Sequence, residues 1–198
     1  MKHDDLVRLL KSEQPEAGFF EPDGDEWGGL LDLVAIEDGR IIGYVQVLNR
    51  LDLDCFSESA FRLSQVFTEA WVFTTPELAA GVKKSAPLAF GIRILVGGGR
   101  VGIGRPATVS VGQTLSWLAR LTPIERLRIA AEIGSTSTTQ DVYRRGLGVL
   151  GEDGLRRRIV REFGTRCASP PPPLGEIDNV TILAAVRRRL SSEPVAPI

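Results

Sequence analysis

Between Leu30 and Arg50 the chain reads LLDLVAIEDGRIIGYVQVLNR. Two apolar, β-branched runs flank Asp38-Gly39, a pair suited to the positive φ angles of a two-residue hairpin turn. The segment is expected to form a strand over 30–36, a tight turn, and a second strand over 40–48. One carboxylate, Asp32, sits inside the otherwise apolar first strand. Side chains alternate along a strand, so Tyr44 and Gln46 should face one side of the sheet, and Val45 and Val47 the other.

The rest of the chain supplies partners for this hairpin. Asp4 and Asp5 can cap a short N-terminal helix carrying Leu6, Leu9 and Leu10. Residues 57–69 place Ala60, Leu63 and Phe67 at helical spacing. Trp71-Val72-Phe73 reads as a short buried strand within 70–75, and Thr75-Pro76 as the start of a helix over 76–84. Residues 88–96 and 100–104 form a further hairpin around Gly97-Gly98-Gly99. Strands alternating with helices indicate an α/β fold, with 30–36, 40–48, 70–75 and 88–96 in one sheet. From about residue 113 the pattern turns helical. Thr122-Pro123-Ile124-Glu125 is a capping box opening a helix to Ile133, closed by Gly134. Helices follow over about 139–147 and 153–163, then a polyproline spacer, Ser169 to Pro173, and a last helix over about 177–191. This divides the chain into an α/β core (1–108), a helical region (109–165), a Pro-rich linker (166–175) and a C-terminal helix with its tail (176–198).

Composition narrows the chemistry. The only histidine among 198 residues is His3, which removes Ser-His-Asp and Cys-His mechanisms and most zinc sites. Two cysteines, Cys55 and Cys167, are too few for a disulfide framework or a zinc cluster and are expected as free thiols. No apolar run approaches the roughly 20 residues of a membrane span, and the N-terminus lacks the apolar core of a signal peptide. No membrane association and a cytoplasmic location are the expectations. Residues 1–99 carry nine Lys and Arg against 16 acids, whereas residues 100–198 carry 15 Arg against nine acids. Such a split fits an anion-binding half, two halves that attract one another, or solvated helix faces.

Two motif matches are set aside. Gly97 to Gly102 spells G-x-G-x-x-G, but a dinucleotide site needs a helix to begin there, and a valine-isoleucine strand follows instead. The acidic stretch Glu21-Pro-Asp-Gly-Asp-Glu26 lacks the spacing of a calcium loop and reads as solvated.

Taken in order, Leu31-Asp32, Gly43-Tyr44-Val45-Gln46-Val47, Arg50-Leu51-Asp52, Arg62-Leu63-Ser64-Gln65, Trp71-Val72-Phe73, Gly91 to Val96 and Gly99-Arg100-Val101 form a recognisable succession. Over positions 4–107 it resembles the small stand-alone branch of the PD-(D/E)XK, or restriction-endonuclease-like, nucleases. There a first helix precedes an aspartate-bearing strand, a turn, a "GYEIKSDRD" strand, an "RLxxQ" helix, a hydrophobic strand and a late hairpin. The resemblance implies a mixed-sheet α/β core of that type with a C-terminal helical region. It also implies a site in which aspartate and glutamate hold Mg²⁺ and the lysine of E-x-K helps activate water. Asp32 matches the aspartate. Glu21 corresponds to a helix-borne acid that some members use, and Gln65 to the helical glutamine. The E-x-K positions are Val45 and Val47. One carboxylate cannot supply the several oxygens that Mg²⁺ requires, and losing a single acid/base role typically costs about 10²–10⁴-fold in rate. Asp52 and Asp54 are the acids that could have migrated into the missing place.

Three readings of Asp32 stand open: a vestige of such a site, a strand-end carboxylate bonded to backbone amides, or a metal ligand with displaced partners. Gln65 is likewise either a site residue or a helix-face amide. The leading functional expectation is a catalytically degenerate nuclease-like protein, not an enzyme, that binds nucleic acid or a protein partner and needs no cofactor. The alternatives are an active Mg²⁺- or Mn²⁺-dependent nuclease with rearranged ligands, and a structural protein reusing the fold. Helices 123–133 and 139–147 suit either a helix-turn-helix or an ordinary helical hairpin. In the binding reading, Arg144, Arg145, Arg156, Arg157 and Arg158 meet the phosphate backbone.

Overall fold

The computed structural model describes residues 3–22, 30–96, 100–109 and 113–168. The triple glycine 97–99, the acidic residues 23–26, the Pro-rich stretch 169–173 and the helix expected over 177–191 lie outside the described residues.

The hairpin forms as its sequence indicates. Strand β2 (Leu33–Glu37) pairs antiparallel with β3 (Arg40–Val47), with Glu37 opposite Arg40. Asp38 and Gly39 both adopt positive φ, 46° and 76°, and the loop between the paired ends is just these two residues. Helix α1 (His3–Glu13) precedes the hairpin, as expected. Between them is a strand that the sequence reading missed, β1 (Gly18–Phe20). Three residues give too short an alternation to register as a pattern.

After the hairpin come α2 (Arg50–Ser64), β4 (Glu69–Thr74), α3 (Ala79–Ser85), β5 (Gly91–Val96) and β6 (Arg100–Arg105). Helix α2 begins seven residues earlier than the periodicity of its apolar side chains suggests. The reason is a capping box: the Asn49 side chain accepts from Asp52 N–H, and the Asp52 carboxylate accepts from Asn49 N–H. Helix α3 starts later than expected, because Thr75-Pro76-Glu77 first makes a turn in which Leu78 N–H donates to the Thr75 carbonyl.

One mixed sheet holds all six strands in the order β1-β2-β3-β4-β5-β6. The β1–β2, β2–β3 and β5–β6 pairs are antiparallel, and β3–β4 and β4–β5 are parallel. The two parallel pairs follow from the crossovers through α2 and α3. Val45 and Val47 point into the same apolar cluster as Phe56, Ala60 and Leu63 of α2. Tyr44 points to the other face, where Leu6 and Leu10 of α1 cover Leu33, Ile42, Trp71 and Phe73. Two glycines of the motif succession are there for close packing: a Cβ at Gly43 would meet the Phe67 ring at 2.8 Å, and one at Gly91 would meet the Trp71 ring at 2.2 Å.

The helical half is α4 (Thr114–Ala119), α5 (Pro123–Ile133) and α6 (Thr139–Ala168). Helix α5 has the expected Thr122–Glu125 capping box and a left-handed Gly134 at its end. The two helices expected over 139–147 and 153–163 are both present; they follow one another directly within α6, broken by the non-helical Gly151 (φ 70°, ψ 171°). Helix α6 runs to Ala168, three residues into the stretch read as linker. The expected division near residue 108 is not a break in the core. Trp117, Leu118, Ile129, Ile133, Leu155, Ile159 and Phe163 share one buried cluster with Val34, Val45, Val47 and Val72 of the sheet. The described residues up to Ala168 thus fold as a sheet with one helix on one face and their remaining helices on the other. No helix among the described residues is long and apolar enough to cross a membrane.

Candidate functional site

Asp32 lies one residue before β2, half-buried. Its backbone N–H donates to the Tyr44 carbonyl at 3.0 Å, and its carboxylate accepts from Gln46 N–H at 2.5 Å. The side chain thereby carries the hairpin's hydrogen bonding past the last paired residues. A charge-assisted bond of this kind is stronger than a neutral one.

Around Asp32 the pieces of an acid-lysine site are not assembled. Val45 is 1% exposed and Val47 0%, both beneath α2. Glu21 follows β1, whose Phe20 pairs with Val34, so it reaches the same end of the sheet as Asp32 but is exposed there. Gln65 is not brought to them. It is the exposed C-cap of α2, beside the Val66–Thr68 turn whose Thr68 hydroxyl bonds the Ile41 carbonyl. Ile41 and Gln46 are five positions apart on β3, roughly 16 Å along the strand. Asp52 is occupied as well: it accepts from Leu48 N–H at 2.9 Å and Asn49 N–H at 3.1 Å. Asp54 is exposed on α2. Among the described residues, no three His, Cys, Asp or Glu side chains gather in a way that could hold a metal ion.

The face opposite the valines carries a polar group that the sequence did not suggest. The Tyr44 hydroxyl bonds Gln14 Oε1 at 2.8 Å, and burial drives its phenol far above the ordinary value despite that bond. Arg93 pairs with Glu13 and stacks over Trp71, 4.6 Å from the ring centroid. These contacts fasten the end of α1 to the sheet. No sequence spacing connects residues 13–14 with 44 and 93.

The expected arginine surface divides in two. Arg158 is 13% exposed and held by Glu132 and Glu162, each at 2.5 Å. Arg156 bonds Thr114 Oγ1 at 2.9 Å and Glu152 at 3.2 Å, and lies over Trp117. Both are engaged by partners within the fold. Arg145 is exposed, with its Nε 3.4 Å from the Ile133 carbonyl. Arg144, Arg157 and also Arg161 are exposed and make no ion pair among the described residues.

Other arginines of this half are likewise consumed by the fold. Arg166 grips Glu125 at 2.6 and 2.7 Å and reaches the Arg120 carbonyl at 3.1 Å. Arg126 caps the Leu118 and Leu121 carbonyls at the end of α4. Arg105 binds the carbonyls of Ala86, Pro87 and Phe90. Glu125, the partner of Arg166, and Glu162, the partner of Arg128 and Arg158, are buried acids that periodicity places on α5 and α6 without showing that they face inward. The pairs Arg166–Glu125, Arg128–Glu162 and Arg158–Glu132 tie α5 to the second half of α6 in antiparallel order.

No family model matches the chain, and no curated protein matches it. Among solved structures, a protein of unknown function from Silicibacter pomeroyi is similar over 98% of this chain and 92% of its own, at 15% identity and a TM-score of 0.45. That likeness is too distant to add to the mixed α/β architecture read directly from the structure.

Proposed function

We propose that this chain is a restriction-endonuclease-like protein without a working metal site, and that it acts by binding nucleic acid. The observation that carries the reading is the burial of Val45 and Val47 under α2, at 1% and 0% exposure. A hydrated divalent cation and its attacking water need an open, polar pocket with several oxygens. The positions where the resemblance calls for glutamate and lysine are dry and filled.

Support for the nuclease-like part comes from element order. A first helix, an aspartate at the mouth of a strand, a tight turn, a Gly-Tyr strand, a helix, a parallel strand and a late hairpin occur in this order, with β1 and α3 as further elements between them. Support for nucleic acid is the set of exposed arginines on α6: Arg144, Arg145, Arg157 and Arg161. With about four phosphates neutralised, affinity for duplex DNA should fall with a log–log salt slope of about −4 at most.

The test is incubation of the full chain with single- and double-stranded DNA and RNA, in Mn²⁺ or EDTA, scoring both cleavage and retention. Salt-sensitive retention without cleavage is expected. EDTA-sensitive cleavage that disappears in Asp32→Ala would instead establish an active nuclease with rearranged ligands. Absence of both would leave a protein partner or a structural role.

A further inference from the structure

We infer that the nucleic acid bound by this chain is double-stranded DNA, met in its major groove by the part of α6 that precedes Gly151. The inference rests on the nucleic-acid reading above and narrows it. The aromatic side chains of the basic half argue against a single strand. Proteins that hold single strands do so on aromatic side chains against which successive bases stack. Residues 100–198 contain three aromatic residues, Trp117, Tyr143 and Phe163. Trp117 is 1% exposed and Phe163 0%, and Tyr143 packs against the same buried cluster. All three are engaged by the core. The charge of this half is thus presented without a stacking platform, which suits a partner whose bases are already stacked on one another.

The start of α6 is fixed in place by the turn before it, residues 134–138. Gly134 takes the left-handed conformation that closes α5. The Asp141 carboxylate accepts from Thr136 N–H at 2.6 Å and from its hydroxyl at 2.8 Å, and Asp141 N–H donates to Thr138 Oγ1 at 3.3 Å. A short, fixed turn between two helices is how helix-turn-helix proteins hold the first residues of their second helix against base edges. Here Val142 and Gly146 are buried, whereas Gln140 and Arg144, one helical turn apart, are exposed on one stripe. Gln and Arg are the side chains whose amide and guanidinium match adenine and guanine in the major groove. That groove, about 12 Å wide in B-form DNA, admits a helix, and its counterpart in duplex RNA is too narrow to be read. Arg145, Arg157 and Arg161, also exposed on α6, are left for phosphates, which fix register and orientation.

The test is selection by the full chain from a pool of randomised DNA duplexes about two helical turns long, roughly 20 base pairs. A preferred sequence should be enriched. That duplex should bind at least about tenfold tighter than its separated strands and than the RNA duplex of the same sequence. Gln140→Ala combined with Arg144→Lys keeps the net charge but removes the amide and the planar guanidinium fork. It should weaken binding of the selected duplex by about tenfold or more. The salt slope and the melting temperature should stay as in the wild type, because no charge is lost and both side chains are exposed. A pool retained without enrichment overturns the inference and leaves nucleic-acid binding in place. So does equal affinity for the single strands or the RNA duplex, or a double variant that binds as the wild type does. Retention of none of these nucleic acids overturns both readings.

Discussion

The hairpin end around Asp32 and the helical layer of α4 to α6 were the two parts of the sequence that suggested chemistry, one through a lone acid and the other through arginines. They handle charge in opposite ways. At the hairpin, a single half-buried carboxylate accepts a hydrogen bond from a backbone amide, and the neighbouring strand positions Val45 and Val47 are apolar and buried. In the helical layer, buried acids are matched by arginines: Glu162 by Arg128 and Arg158, and Glu125 by Arg166. A charge visible in sequence is therefore not yet a charge available to a ligand. Availability depends on what the fold has already placed against it.

The strongest challenge to this contrast is to give the hairpin charges of its own. Val45→Glu with Val47→Lys introduces two ionisable groups at fully buried positions and should cost at least about 4 kcal/mol, since buried charges without built partners are penalised heavily. Urea unfolding should show this loss, with no recovery on adding Mn²⁺. Stability restored by Mn²⁺ would mean that the hairpin retains a latent metal geometry. Next in size is Glu162→Ala, which strips Arg158 of one of two carboxylates in a site where Glu162 is 4% exposed. The expected loss is about 3 kcal/mol, the low end for breaking a buried pair. Asp32→Ala should cost about 2 kcal/mol through the orphaned Gln46 amide. A neutral or stabilising result there would argue that the carboxylate is held for a ligand rather than for the strand.

The fold was largely legible because the signals behind it are local. Asp38-Gly39 dictates the hairpin, the Thr122–Glu125 box and Gly134 bound α5, and alternation puts Tyr44 and Val45 on opposite faces. The Asn49–Asp52 box is equally local, but an aspartate so close to the hairpin suits a migrated metal ligand as well as a cap, and the sequence does not choose between them. The candidate site was less legible because its state depends on long-range contacts. Gln65 matches a motif in order but sits at the far end of the sheet from Asp32. Arg158 is on a face that looks solvated until Glu132 of α5 is folded against it.

The pH dependence of stability sharpens the helical side of the comparison. Burial pushes the Glu125 carboxyl up, but the Arg166 hydrogen bonds and charge, with the Thr122 contacts, outweigh it and hold the group below its usual 4.5. A depressed carboxyl contributes stability that is complete above the unfolded value and is lost as pH falls through the folded one. Thermal unfolding should therefore show stability declining below about pH 4.5, and Glu125→Gln should flatten that acid limb while lowering the neutral plateau. An unchanged acid limb would assign the decline to other carboxylates.

The smallest effects on stability belong to the arginines that the fold leaves exposed, and they separate fold from function most cleanly. Replacing Arg144, Arg157 and Arg161 with Gln should change unfolding free energy by no more than about 0.5 kcal/mol per site, as for surface positions that make no ion pair, and Arg145→Gln should add only the loss of its long bond to the Ile133 carbonyl. Retention of nucleic acid should fall, and its salt slope should shrink by about one unit for each phosphate contact removed. Arg158→Gln should do the reverse: its ion pairs with Glu132 and Glu162 make it a stability residue, so the melting temperature drops while the salt slope holds. If both sets lower stability alike and neither alters retention, all these arginines serve the helical layer and the partner must be recognised elsewhere on the chain. If Arg158→Gln reduces the slope as much as Arg157→Gln, the ion pairs open on binding, and occupied charges in this layer are not withdrawn from ligands after all.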